Sequence, residues 1–283
     1  MSAARQMNEP ELQASERFVH AGGLKWRVAE AGKGPVILLV HGTASSLHSW
    51  RDVMPILAAS HYVVAMDLPG HGGTGSRGSR DLSLDAMASG VAALCQALGI
   101  APVVVAGHSA GAAVLVRICA TGSIAPERLI SFNGAFYPFG RAAGSLFSPI
   151  AKLLALNPFL PRAVSGLTSR SGVERLLRDT GSSLSVEGVD HYFRLLKQPD
   201  HVAAALGMMA AWNLRAIEAD FAKLGLECVF VTGKRDRSVP PETADRAAKN
   251  CRNARVLHIE GYGHLLHEEN PALAAGIIIG NTP

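Results

Sequence analysis

The 283-residue sequence predicts an α/β fold: a mostly parallel eight-stranded sheet with helices on both faces and a helical cap insertion. Three observations predict it. Short, β-rich apolar runs alternate with helical patterns at the pace of right-handed crossovers. The alternation stops between about Phe136 and Lys223, where only short helical patterns broken by Pro and Gly occur. It then resumes for two more strands before the end of the chain.

Arg17 to Ala21 and Leu24 to Ala29 read as a hairpin turning at Gly22-Gly23. Val36 to Val40 is continuously apolar, as in a strand covered on both faces, and Trp50 to Ala59 has helical spacing. Tyr62 to Met66 is a second buried strand. Leu84 to Leu98 is a long helix, with Ser83 placed to cap its start and Gly99 its end. Val103 to Ala106 and Leu129 to Phe132 are strands separated by a helix over Gly111 to Ala120. The insertion holds helical patterns at Leu146 to Leu156, Val173 to Arg178, His191 to Leu196 and Val202 to Trp212. Strands at Glu227 to Thr232 and Arg255 to Ile259 flank a helix from Glu242 to Asn250, and Pro271 to Ile279 is the last helix. This divides the chain into a core, 1–135 with 224–283, and a cap, 136–223.

Composition narrows the function classes. Nearly half the chain is apolar and the net charge is +4, carried by scattered Arg and Lys without a stripe or recognition motif, which argues against nucleic acid. Met1 to Glu11 is polar and unlike a secretory signal, and no run is long enough to span a bilayer. The four cysteines, Cys95, Cys119, Cys228 and Cys251, contain no C-x-x-C pair and read as reduced thiols of a cytoplasmic protein.

The chemistry is concentrated at Gly107-His108-Ser109-Ala110-Gly111. G-x-S-x-G is common by chance, but here it leaves a strand and opens a helix, the setting that pushes a nucleophilic Ser out on a strained turn. The base must come from a later loop, and Gly263-His264 follows the last strand. The acid belongs between them in chain order. Asp236 follows the penultimate strand, whereas the alternative loop after Leu129 to Phe132 offers only Asn133, which carries no charge. The competing reading of Asp236 is a surface group paired with Lys234, Arg235 or Arg237. Backbone N–H groups of Ala110 and Thr43, with Ala44 second to Thr43, are the expected oxyanion donors, and His41 reads as a packed residue that shapes the Thr43 loop.

Other motifs carry less. His264 and His267 form H-x-x-H without a third ligand, so no metal site is expected. Gly70 to Gly75 has Ser76 where a phosphate-binding loop needs Lys, and no carboxylate cluster suits Mg²⁺. No cofactor is called for.

His41-Gly42 with Trp50, Asp67-Leu68-Pro69-Gly70-His71-Gly72, the Ser109 motif and Gly263-His264 together resemble the α/β-hydrolase superfamily across the whole chain. The resemblance implies a serine esterase; Ser at the elbow argues against dehalogenase and epoxide-hydrolase relatives, which use Asp there. The segments Ser148 to Pro158 and His201 to Ala210, and Asn133-Gly134-Ala135 with Pro138-Phe139-Gly140, resemble one branch, the magnesium-chelatase accessory proteins of bacteriochlorophyll biosynthesis, encoded beside photosynthesis genes in purple bacteria. That would imply a role around Mg²⁺ insertion into protoporphyrin IX, with a tetrapyrrole ligand or chelatase subunits as partners. With no ATPase motif, the chain would assist a chelatase built from other subunits. A small apolar ester is the alternative ligand. Leu153, Leu154, Leu206, Met208 and Met209 are candidate pocket residues of the cap, and Arg77, Arg80, Lys234, Arg235 and Arg237 would place positive charge near the entrance.

Overall fold

The eight strands join in one sheet in the order β1-β2-β4-β3-β5-β6-β7-β8, seen in a computed structural model that describes residues 14–137, 157 and 159–281. β1 (Ser15–Ala21) and β2 (Leu24–Ala31) form the antiparallel hairpin, and β2 pairs antiparallel with β4 (Tyr62–Met66). β3 (Val36–Val40), β5 (Val104–His108), β6 (Arg128–Phe132), β7 (Glu227–Gly233) and β8 (Ala254–Ile259) continue in parallel from β4. The hairpin turn puts Gly22 and Gly23 at φ 57 and 78, the left-handed pair that a two-residue turn demands.

Alternate side chains of each central strand enter opposite layers. Leu38, Val40, Val64, Met66, Val105 and Phe230 pack with α2 (Leu84–Leu98) and α3 (Ala110–Ala120). Ile37, Leu39, Val63, Ala65, Ala106 and Val229 pack with α1 (Met54–Ala58) and, near the C-terminus, with α10 (Leu266–Glu269) and α11 (Pro271–Ile278). α2 starts and stops where its ends dictate: Ser83 Oγ accepts the Ala86 N–H at 3.2 Å, and Gly99 takes φ 66. The single helix expected over Trp50 to Ala59 is instead a 3₁₀ turn at Leu47–Trp50 followed by α1; Pro55, which has no N–H to donate, sits in the first turn of α1.

Between β6 and β7 lie α4 (Leu160–Leu167), α5 (Arg170–Asp179), α6 (Val186–Leu196), α7 (Pro199–Ala211) and the short α8 (Ile217–Phe221), while α9 (Glu242–Lys249) connects β7 to β8. This is the helical cap insertion. The expected helix over Leu146 to Leu156 lies outside the described residues. Both ends of the insertion are anchored in the core: Phe136 and Phe221 meet edge-on at 5.1 Å, and both contact Phe230 of β7.

Candidate active site

The loops leaving β3, β5, β6, β7 and β8 converge at the carboxyl edge of the sheet, where an open parallel sheet leaves its crevice. Ser109 stands between β5 and α3 at φ 50, ψ −117, a conformation that costs a non-glycine residue about 1–3 kcal/mol. Two flanking glycines make it possible. A Cβ on Gly107 would lie 2.6 Å from the Ala112 nitrogen, and one on Gly111 would lie 2.3 Å from the Val40 carbonyl oxygen. The turn is held further by the Ser109 N–H, which donates to Phe132 O at 2.9 Å.

His264 Nε2 is 3.1 Å from Ser109 Oγ, and His264 Nδ1 is 2.8 Å from Asp236 Oδ2. Since the carboxylate can only accept, Nδ1 carries the proton and Nε2 faces the hydroxyl as acceptor. Asp236 is 7% exposed, so it is not the surface group of the competing reading. Lys234 pairs with Glu260 instead. Asp236 Oδ1 accepts N–H groups of Ser238 at 2.7 Å and Val239 at 2.9 Å, and Oδ2 also accepts Asn133 Nδ2 at 2.7 Å. Asn133, rejected as the acid for want of charge, thus fixes the acid by hydrogen bonding.

The helical insertion contributes to the same loops. Thr180 O accepts the N–H of Arg237 at 3.1 Å and of His264 at 3.4 Å, and Ser182 Oγ accepts the Leu265 N–H at 2.8 Å. At Gly181 a Cβ would fall 1.9 Å from Arg235 O. None of these partnerships has a local sequence signature. Beneath the base, His108 Nε2 donates to His264 O at 2.9 Å, and His267 lies against His108 and Trp50 with ring centroids 4.4 and 4.5 Å away. Among the described residues no group of three or more His, Cys, Asp or Glu is placed to hold a metal ion. The four cysteines are free thiols.

The Thr43 loop packs onto the elbow. A Cβ on Gly42 would meet Ser109 Cβ at 3.0 Å. His41 shapes the loop: Nδ1 donates to Gly42 O at 2.7 Å and Nε2 accepts the Leu68 N–H at 2.9 Å. Ala110 opens α3, so its N–H belongs to the first turn, which has no intrahelical acceptor. From the cap, Met208 Sδ accepts Thr43 Oγ1 at 3.5 Å, bringing that buried side chain to the Thr43 loop. Leu206 is two residues earlier on the same helix, about 200° around its axis, and so points to the opposite face. Met209 is half-buried about 100° from Met208; Leu153 and Leu154 lie outside the described residues. α7 is docked by the Gly72 N–H donating to His201 Nδ1 at 3.1 Å and by packing of Ala204 on Gly70. Arg77 does not offer a free charge, because Asp81 binds it at 2.7 Å.

Residues 37–276 match the alpha/beta hydrolase family. The chain belongs to that family. It is 34% identical to the magnesium-chelatase 30 kDa subunit of Rhodobacter capsulatus over 96% of this chain and 95% of that protein. It is 30% identical to the dihydrolipoyllysine-residue acetyltransferase component of the acetoin cleaving system of Pseudomonas putida, over 94% of this chain and 68% of that one. An alpha/beta hydrolase fold protein from Burkholderia ambifaria superposes with a TM-score of 0.75 at 25% identity, over 94% of this chain and 99% of that chain. With Ser109, His264 and Asp236 in hydrogen-bonded sequence, this alpha/beta hydrolase is an enzyme of the serine-hydrolase type. Among the described residues no helix is long and apolar enough to cross a membrane.

Asp236→Asn is expected to lower turnover about 10⁴-fold by favouring the wrong imidazole tautomer. Asn133→Ala, which removes one charge-assisted bond to the same carboxylate, should lower it about 10-fold without unfolding the chain. Steady-state kinetics with far-ultraviolet circular dichroism as a control checks both.

The buried and half-buried histidines predict acid lability. Burial holds His41 and His267 at about 3, and His48 and His201 at about 4, with His71 and His108 also well below the usual 6.5. The unfolded chain binds these protons near 6.5 and the folded one does not, so their contribution is present above that pH and lost as pH falls. Burial raises Glu268 to about 7 and Asp67 to about 6. These two act oppositely, favouring the fold at low pH and losing that contribution as pH rises through 6 and 7. With His191 also held below its usual value by burial, seven histidines outnumber the two raised carboxyls. Stability by urea titration should therefore fall between pH 7 and pH 4, and equal midpoints at the two ends would contradict the assignment.

Proposed function

We propose that this alpha/beta hydrolase is a carboxylesterase that cleaves small apolar esters through an acyl-enzyme. The observation that carries the reading is the unbroken path from Ser109 Oγ to His264 Nε2 and from Nδ1 to Asp236. His264 takes the Ser109 proton as Oγ attacks the ester carbonyl, and the resulting oxyanion is received by the Ala110 and Thr43 N–H groups. Collapse of the tetrahedral intermediate breaks the bond to the alcohol, which leaves with the proton from His264. Water then repeats the sequence to release the acid and restore Ser109. Met208 supplies adaptable apolar surface for the ester, with Met209 beside it on α7. The core, 1–135 with 224–283, would hold the chemistry and the cap, 136–223, the substrate.

A specific similarity supports a second reading, that the hydrolase serves as an accessory protein to magnesium chelatase in bacteriochlorophyll biosynthesis. Its support is the 34% identity to the Rhodobacter capsulatus 30 kDa subunit along nearly the whole length of both chains. In a non-catalytic version of this role the protein would bind a tetrapyrrole or the chelatase subunits and leave the triad unused. A cytoplasmic site of action fits either version.

A fluorophosphonate should label Ser109, and Ser109→Ala should abolish labelling and lower hydrolysis of p-nitrophenyl esters by on the order of 10⁶. Unchanged hydrolysis in the variant would remove the esterase reading. For the accessory reading, protoporphyrin IX and its magnesium form are titrated against the purified protein. Saturable quenching of porphyrin fluorescence is expected if a tetrapyrrole is the ligand, and in a phototroph deletion of the gene should slow pigment formation at Mg²⁺ insertion. No binding together with normal pigment would leave the esterase alone.

A further inference from the structure

The loop that carries His264 runs into a helix with a buried carboxyl group that the hydrolysis does not use directly. Glu268, four residues after His264, has no exposed side-chain surface. Its Oε1 accepts the Tyr192 hydroxyl at 2.6 Å, and its Oε2 accepts Arg51 Nη1 at 2.7 Å. Tyr192 comes from α6 of the cap, and its hydroxyl oxygen is 3.2 Å from Ser45 Oγ. With its one O–H directed at Glu268, the Tyr192 hydroxyl accepts from Ser45. The Ser45 N–H in turn closes on Gly42 O at 3.3 Å. Inside that turn lie Thr43 and Ala44, the latter at φ 57, a strained position for a residue with a Cβ.

A buried ion pair does not by itself stabilise a fold over a well-packed apolar replacement. Its use must come from what its geometry specifies. Here it specifies one thing: the hydroxyl of a cap residue held at the correct point to catch Ser45. Ser45 is the last residue of the turn that carries Thr43, whose N–H the esterase reading assigns to the oxyanion.

We propose that Tyr192 and Glu268 are positioning residues that lock the oxyanion loop through Ser45, so that the oxyanion site is complete only when helix α6 is seated on the core. Arg51 keeps the Glu268 carboxylate in place from the core side, at the end of the 3₁₀ turn that follows the loop. This inference rests on the esterase reading, since it assigns Thr43 to the oxyanion.

The test is the second-order rate of fluorophosphonate labelling and the kcat and KM for a p-nitrophenyl ester in the full chain. Phosphonylation also develops charge on an oxygen held by the Ala110 and Thr43 donors. Tyr192→Phe should slow labelling and kcat by about 10–100-fold, less than loss of a whole oxyanion donor, with KM changed less than about 3-fold. Ser45→Ala should give a loss of the same size, and the double variant no more than either, because both act through one contact. Glu268→Gln, which still accepts the Tyr192 hydroxyl, should lose less than Glu268→Ala. A trifluoromethyl ketone, whose hemiketal oxygen occupies the same position, should bind more weakly in step with kcat. Should Tyr192→Phe fail to fold, Ser45→Ala with the ketone carries the comparison. A lowered melting temperature with undiminished labelling, kcat and ketone affinity would overturn the positioning role while leaving the esterase reading intact. A wild-type chain that neither reacts with fluorophosphonate nor hydrolyses esters would overturn the esterase reading, and this inference with it.

Discussion

The backbone around Ser109 is the constraint on which the site depends. β5 and α3 are joined with no spacer, so one residue must reverse the chain, and Ser109 does so with a positive φ. Such a conformation survives only if its surroundings leave no lower alternative. α3 therefore presses on β3 so closely that the Val40 carbonyl occupies the space of a side chain at position 111. The parallel pairing of β3, β5 and β6 keeps these backbones in register. The nucleophile is thus held by the sheet, and the hydrogen bond from Ser109 N–H to Phe132 ties it to the strand that delivers Asn133.

Around that rigid point the other groups are held by contacts from several directions. Asp236 accepts four hydrogen bonds, from two backbone N–H groups of its own loop, from Asn133 and from His264. A carboxylate so fully satisfied keeps its place in a buried position. His264 is restrained above by Thr180 of the insertion and below by His108. The imidazoles beneath it are kept neutral by burial, so they add packing without adding charge beside an imidazolium formed during turnover.

Much of the fold was legible because it is governed by local periodicity. β3 and β4 are unbroken apolar runs, and α2 has its cap residues at both ends. α4 escaped notice because Pro161 and Gly166 interrupt its eight residues, and α10 because it is only four residues long. The expected strand at Val103 to Ala106 begins and ends later, since strand pairing with β6 extends to His108. The Ser109, Asp236 and His264 set was legible because chain order and loop position identify it. Asn133, Tyr192, Glu268 and the Thr180–Ser182 segment were not. Asn133 and Asp236 are 103 residues apart, and only the pairing of β6 with β7 brings them together.

The Thr180–Ser182 segment has a consequence for how this chain can change. A lid joined to its core by apolar contact alone is a module that recombination can exchange. Here the insertion supplies acceptors to the backbones of Arg237, His264 and Leu265, and Gly181 occupies space that no other residue type could fill beside Arg235. Replacing the whole insertion would leave both loops that carry the acid and the base without their outer wall. A change of cap that keeps the acid and base loops in place must therefore retain the segment between α5 and α6.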